Sequence, residues 1–178
     1  GRPVPHRELL EAAGAAMEQH AQDEDVQHAA LLLLSNLAAI DAGRAAILGA
    51  GALEAAVAAM EQHAEDEDGQ DGALYLLYQL SDNDAGSAAI LGSTGAVAGA
   101  KAAMQTHEHR ADVQISGLGM MWSLAEVSVA AKAHVLSGSM KGIANAALQR
   151  HTSDVDVQNN GNGLLAILRE DDAMDSSD

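Results

Sequence analysis

The sequence predicts an all-α protein assembled from four copies of one helical unit, and three observations carry that expectation. The first is a repeated line: "AAMEQHAQDEDVQ" at 15–27 returns as "AAMEQHAEDEDGQ" at 58–70, with eleven of thirteen letters kept. The second is its register. The His of that line recurs as His20, His63, His107 and His151, and seven residues after each stands Gln27, Gln70, Gln114 or Gln158. Ten residues further on come Leu37, Leu80, Leu124 and Leu168, while Asp recurs as Asp25, Asp68, Asp112 and Asp156. A period of 43–44 residues held through four copies is the mark of a repeat architecture. The third is composition: two prolines, no Phe and an apolar fraction dominated by Ala and Leu favour helix over sheet.

Each copy then resolves into helices. The first begins at "GRPVP" (1–5), which holds no short helix, so the copy is partial and spans 6–39. The full copies span 41–82, 84–126 and 128–169, and open on a short apolar element: "AAIL" (45–48), "AAIL" (88–91) and "AHVL" (133–136). Glycines follow each one, Gly49 and Gly51, Gly92 and Gly95, Gly138 and Gly142, and permit a sharp turn into the next helix. A second helix precedes each His, with Leu53, Ala56, Val57 and Met60 echoed by Val97, Ala100 and Met104. In the last copy its register slips to Met140 and Ile143. A third helix follows the Asp. Its apolar stripe is Val26, Ala30, Leu33, Leu34 and Leu37 in the first copy, and the spacing of 0, 4, 7, 8 and 11 is one helical face. The chain thus reads as one domain over 1–169, followed by an acidic tail over 170–178.

Three helices per 43–44 residues, with "GALEAAVAAM" (51–60) for the second and "VQHAALLLLSNLA" (26–38) for the third, resemble the armadillo repeat over nearly the whole chain. HEAT-like helix pairs are the alternative, and the glycine-punctuated short helix favours armadillo. The resemblance implies an armadillo-type solenoid, a right-handed α-α superhelix whose third helices line a concave face. It also implies binding of extended peptides, with a row of Asn side chains holding the peptide backbone and a row of Trp side chains forming pockets. Here the first row is Asn36, Gln79, Ser123 and Ile167, and the second Leu32, Tyr75, Gly119 and Gly163. Asn36 matches the family pattern, and Trp122 sits one position before the Asn row.

Charge narrows the partners. The formal net charge is −17, so phosphate backbones would be repelled and nucleic acid is not expected; a basic peptide or basic protein face is. There is no cysteine, which excludes disulfides and thiolate metal sites. The longest apolar run, "AALLLLSNLAAI", is too short to span a bilayer, so no membrane insertion is expected. The chain begins with Gly1 rather than Met, which reads as a removed presequence or a fragment. The compartment expected is the cytoplasm, with an organelle interior as the alternative.

No enzyme, cofactor or metal site is expected. Equivalent His residues on neighbouring helices lie about 8–10 Å apart, too far to share one ion. A structural role is expected instead, each His bonding the last carbonyls of its own helix, and each repeated Asp serving the free amides and dipole of the helix it starts. "AEDEDGQDG" (64–72) lacks the ligand spacing of a calcium loop, and "LGAGALE" (48–54) and "GSTGAVAGAK" (92–101) lack the strand and the ending of a phosphate loop.

What survives is a face. Opposite the buried stripe, positions 28, 32, 35 and 39 and their equivalents gather Tyr75, Tyr78 and Trp122 with Asp71, Asp82 and Glu126. With Asn36, Gln79 and Ser123 from the flanking row, they make a cradle for Lys or Arg on the concave face, unless the rings pack between adjacent third helices. The expected function is a non-enzymatic protein-interaction module, or alternatively a structural subunit of a multiprotein assembly.

Overall fold

A computed structural model describes residues 6–174, with side chains from 7 to 167 apart from Leu136. The expected burial of Leu168, and the readings of 1–5 and of the tail's side chains, fall outside those limits. Among the described residues the chain is all-helical. The first unit supplies α1 (His6–Gln19) and α2 (Glu24–Ala38), the second α3 (Asp41–Gly49), α4 (Ala52–Gln62) and α5 (Glu67–Leu80). The third supplies α6 (Asp84–Gly92), α7 (Ala96–Thr106) and α8 (Ala111–Val127), the fourth α9 (Val129–Leu136), α10 (Met140–Arg150) and α11 (Val155–Met174).

Local chemistry sets the boundaries. Asp23, Asp66 and Asp154 accept from the amides of Val26, Gly69 and Val157, capping α2, α5 and α11. The cap is therefore two residues ahead of the repeated Asp; Asp25, Asp68, Asp112 and Asp156 lie in the first turn, where they suit the dipole. In the third copy Arg110 stands at the cap position and makes no side-chain cap. Gly51 takes φ of 72° and lets α3 turn into α4 at 74°. The expected slip in the last second helix is not found: α10 lies 44 residues after α7, and its buried Met140, Ala144 and Ala147 take the positions of Ala96, Ala100 and Ala103, with Ile143 added to the stripe where Val97 and Met104 serve in α7.

The units pack in chain order. The third helices contact one another as α2 with α5, α5 with α8 and α8 with α11, and the second helices as α1 with α4, α4 with α7 and α7 with α10. Their buried side chains form one cluster reaching from Leu10 to Leu165. The short helices sit tight on the end of the preceding third helix. A Cβ on Gly43 or Gly86 would lie 1.8 Å from the carbonyl oxygen of Leu37 or Leu80, so only glycine permits the approach. One residue on, Arg44 Nη1 donates to Ala38 O at 2.9 Å and Ser87 Oγ to Ser81 O at 3.0 Å, satisfying a terminal carbonyl in each case.

The repeated His and Gln divide the work differently from the sequence expectation. Gln, not His, closes the second helix. Gln70 Nε2 donates to Met60 O and His63 O, both at 2.9 Å, and Gln27, Gln114 and Gln158 repeat the pair of bonds. The His ring instead reaches back to the preceding unit: His63 Nε2 to Ala21 O and His107 Nε2 to Ala64 O at 2.7 Å, and His151 Nε2 to Glu108 O at 2.9 Å. Since a carbonyl only accepts, each Nε2 carries the proton. The recurrent line is thus a fastening: Gln ties the turn within a unit, and His ties the turn to the one before it.

Candidate partner-binding face

Third helices are buried on two sides, one against their own unit and one against the next, and this redraws the aromatic face. Tyr78 and Trp122 are half-buried at unit junctions. A Cβ at Gly119 would lie 2.7 Å from the Tyr78 ring, and one at Gly163 would lie 2.8 Å from the Trp122 ring, so each ring lies on a glycine of the following third helix. At the first junction the order inverts: small, buried Ser35 occupies the ring position and Tyr75 the glycine position. Each junction so carries one bulky aromatic and one small residue. The Trp122 indole N–H also donates to Glu126 Oε1 at 3.1 Å. Neither Tyr78 nor Trp122 is a freely presented ring; the row at 35, 78 and 122 points toward the next unit rather than away from the core.

Tyr75 is different, at 42% exposed, with its hydroxyl accepting from Gln79 Nε2 at 2.8 Å. It lines a cavity of about 270 Å³ with Asp71, Asp112, Ile115 and Ser116. Asp71 comes from α5 and Asp112 from the first turn of α8, and neither makes an ion pair with any described residue. Burial pushes the Asp71 carboxyl above its ordinary range. The negative charge of Asp112 adds to that, Arg110 opposes it, Asp68 reinforces it and His28 weakly opposes it.

A second cavity of the same volume lies at the C-terminal ends of α5 and α8, where Asp82, Ser123 and Glu126 meet Asp84, Asn83, Ser81, Ser87 and Val127. Carboxylates and helix C-termini both favour a cation there, and Arg44 Nη1 already stands 3.9 Å from Asp82 Oδ2. Asn36 joins neither cavity, and its amide nitrogen donates to Leu32 O at 2.9 Å within its own helix. The structure therefore brings the expected residues together as two acidic pockets, one holding Asp71 and Tyr75, the other Asp82, Ser123 and Glu126. Gln79 braces Tyr75.

Asp112 was missed as a face residue because it belongs to the repeated line and reads as helix-start architecture. The signal was nonetheless present: 71 to 112, 78 to 119 and 122 to 163 are all steps of 41 residues, the offset at which α5 and α8, or α8 and α11, touch. Elsewhere at this junction Arg110 bonds Glu67 at 2.8 Å and Asp68 at 3.2 Å, and its guanidinium holds the Glu67 carboxyl below the usual range.

The Asp71 shift has a sign that can be checked. A carboxyl raised above its ordinary value of 3.8 in the folded state contributes fully to stability below that pH. The contribution is lost as pH rises through the shifted value, since the unfolded chain ionises first. Asp71→Asn should therefore be more stable than the parent at neutral pH, with the two converging in acid. Thermal melts across that range test it; a variant less stable at pH 7 would mean Asp71 has a cation partner in the fold.

Among the described residues no group of three or more His, Asp or Glu side chains is placed to hold a metal ion. A scan against protein-family models finds no match for the chain, and a search of curated proteins finds none either.

Proposed function

We propose that the protein is a non-enzymatic binding module of the armadillo type, a right-handed α-α superhelix that holds a basic, extended segment of another protein against its third helices. One observation carries the reading: Asp71 and Asp112 face one cavity beside the exposed ring of Tyr75, neither is ion-paired to a described residue, and burial with the Asp112 charge raises the Asp71 carboxyl despite the charges of Arg110 and His28. An ammonium or guanidinium would relieve both carboxylates and lie against the ring. The acidic pocket of Asp82, Asp84 and Glu126 lies beyond the end of α5 and beside α8; there Asp82 has Arg44 at 3.9 Å and Glu126 accepts from Trp122, so it is a weaker cation site than the first. The regular 43–44-residue spacing and the three-helix units support the armadillo assignment. The second reading is a structural subunit of a larger cytoplasmic or organellar assembly.

Trp122 is the sole tryptophan, so its emission reports on one place beside the second pocket. Titration with a Lys/Arg-rich extended peptide should change that emission saturably, and added salt should weaken the affinity by screening the exposed carboxylates. Replacing Asp71 and Asp112 together by Asn should weaken binding about tenfold, which corresponds to one lost charge contact of about 1.4 kcal/mol. Because Asp71→Asn should also stabilise the fold, that loss could not be blamed on unfolding. Indifference of the emission to all basic peptides, or unchanged affinity in the double variant, would remove the reading.

A further inference from the structure

The fourth residue of each short helix lies buried, and the chain writes it three ways: Arg44 in α3, Ser87 in α6 and Lys132 in α9. In α3 the side chain gathers three acceptors. Arg44 Nη1 donates to Ala38 O at 2.9 Å, in the last turn of α2, and stands 3.9 Å from Asp82 Oδ2, just past the end of α5. Arg44 Nη2 donates to Asp41, the first residue of α3. A guanidinium there answers the carbonyl end of one third helix and a carboxylate on either side of it.

One unit further on, the acceptors recur and the guanidinium does not. Ser81 takes the position of Ala38, Asp84 that of Asp41 and Glu126 that of Asp82, while Ser87 replaces Arg44. Ser87 Oγ donates to Ser81 O at 3.0 Å, so the end of α5 keeps one bond, but a serine side chain reaches no further. The cavity of about 270 Å³ beyond the end of α5 is lined by these same four positions, Ser81, Asp84, Ser87 and Glu126. Asp84 and Glu126 are exposed, and neither is ion-paired to a described residue. Glu126 accepts the Trp122 indole N–H at 3.1 Å, which leaves its other oxygen for a second donor.

We infer that this cavity takes the guanidinium of an arginine from the bound segment, held by Asp84 and Glu126 as Asp41 and Asp82 hold Arg44 in the unit before. The carboxylates do not carry this alone, because the molecule itself displays their equivalents around a guanidinium. Arginine rather than lysine follows from geometry. The two carboxylates come from different elements, α6 and α8, and a planar fork of donors meets both, with one left for the second lone pair of Ser81 O. An ammonium is a compact charge that sits by one of them. The inference rests on the reading of this face as the seat of a basic segment, and it names the residue that enters the weaker of the two pockets.

The probes are two labelled extended peptides, alike except that every cation is arginine in one and lysine in the other. Their charges are equal, so general attraction to an acidic face cancels in the ratio of their affinities. Fluorescence anisotropy should show the parent holding the arginine peptide about fivefold tighter, as one added charged hydrogen bond at an exposed place predicts. Ser87→Arg, which supplies the guanidinium from within, should bring the ratio to about one, since the fold then answers its own carboxylates. Asp84→Asn combined with Glu126→Gln should do the same; both positions are exposed, and circular dichroism checks that each variant stays helical. A preference that arises on the Tyr75 ring instead would survive in both variants, and that result overturns the inference. Equal affinities in the parent overturn it too, while leaving the basic-segment reading in place. Failure of both peptides to bind overturns the two together. Competition by N-acetyl-arginine amide at the peptide's own concentration also overturns it, by assigning the pocket to a free guanidinium compound.

Discussion

Leu77→Ala should lower the unfolding free energy by about 2–5 kcal/mol. Leu77 is fully buried in α5, the helix that touches α4 of its own unit, α2 of the unit before and α8 of the unit after. The lost methyl groups leave a cavity that none of these helices can close alone, because each is held by contacts with other units. The loss should therefore spread: hydrogen exchange should quicken in α2 and α8 as well as in α5. Denaturant melts give the magnitude. A loss below about 0.5 kcal/mol is what an exposed site gives, and would mean that Leu77 does not face the core.

Gln70→Met should cost about 1–3 kcal/mol although the side chain keeps nearly its size. Gln70 is buried, and its amide nitrogen is the donor for both Met60 O and His63 O at the end of α4. Methionine removes that donor and leaves Met60 O without a partner in a place water does not reach, at about 1–3 kcal/mol, while His63 O keeps the Asp66 amide at 3.0 Å. Gln79→Met is the control. Gln79 is half-exposed and bonds only the Tyr75 hydroxyl, so its replacement should stay within about 0.5 kcal/mol of the parent. Equal melting of the Gln70 variant and the parent would show that water reaches the end of α4.

These effects trace back to how much of the molecule its sequence displays. The helices and their order were legible, because apolar periodicity and glycine placement report local conformation and intra-unit burial directly; the slip expected at Met140 was not there, since a large residue simply stands where Ala96 does. Leu77 and Leu124 are wholly buried for the same reason. What periodicity does not report is contact between copies. Positions that match by repeat lie 43–44 residues apart, whereas touching residues such as Tyr78 and Gly119 lie 41 apart, about one helical turn out of step. Aligning copies therefore grouped Tyr78 with Trp122, which never need meet, and separated Asp71 from Asp112, which share a cavity. His illustrates the same gap: its position at a helix end suggested a bond within the unit, and only the packing of units reveals that the acceptor belongs to the one before. The "DAG" that opens both "DAGRAAILG" and "DAGSAAILG" was a readable sign of close approach, since its glycine is the residue lying on Leu37 O or Leu80 O.

The backward-reaching His has an implication for how such a chain can change length. Every bond of this kind is written in one register, from a residue in one copy to a carbonyl 42 or 43 residues earlier. Recombination that duplicates or deletes one whole copy leaves each remaining His with an acceptor at the proper place. A loss of forty residues, nearly as large, would leave the His and the carbonyl on either side of the break out of register, and the ring and the glycine of that junction with them. The gene can therefore grow or shrink in steps of one period, and the tolerated step is set by hydrogen-bond geometry rather than by the amount of sequence exchanged.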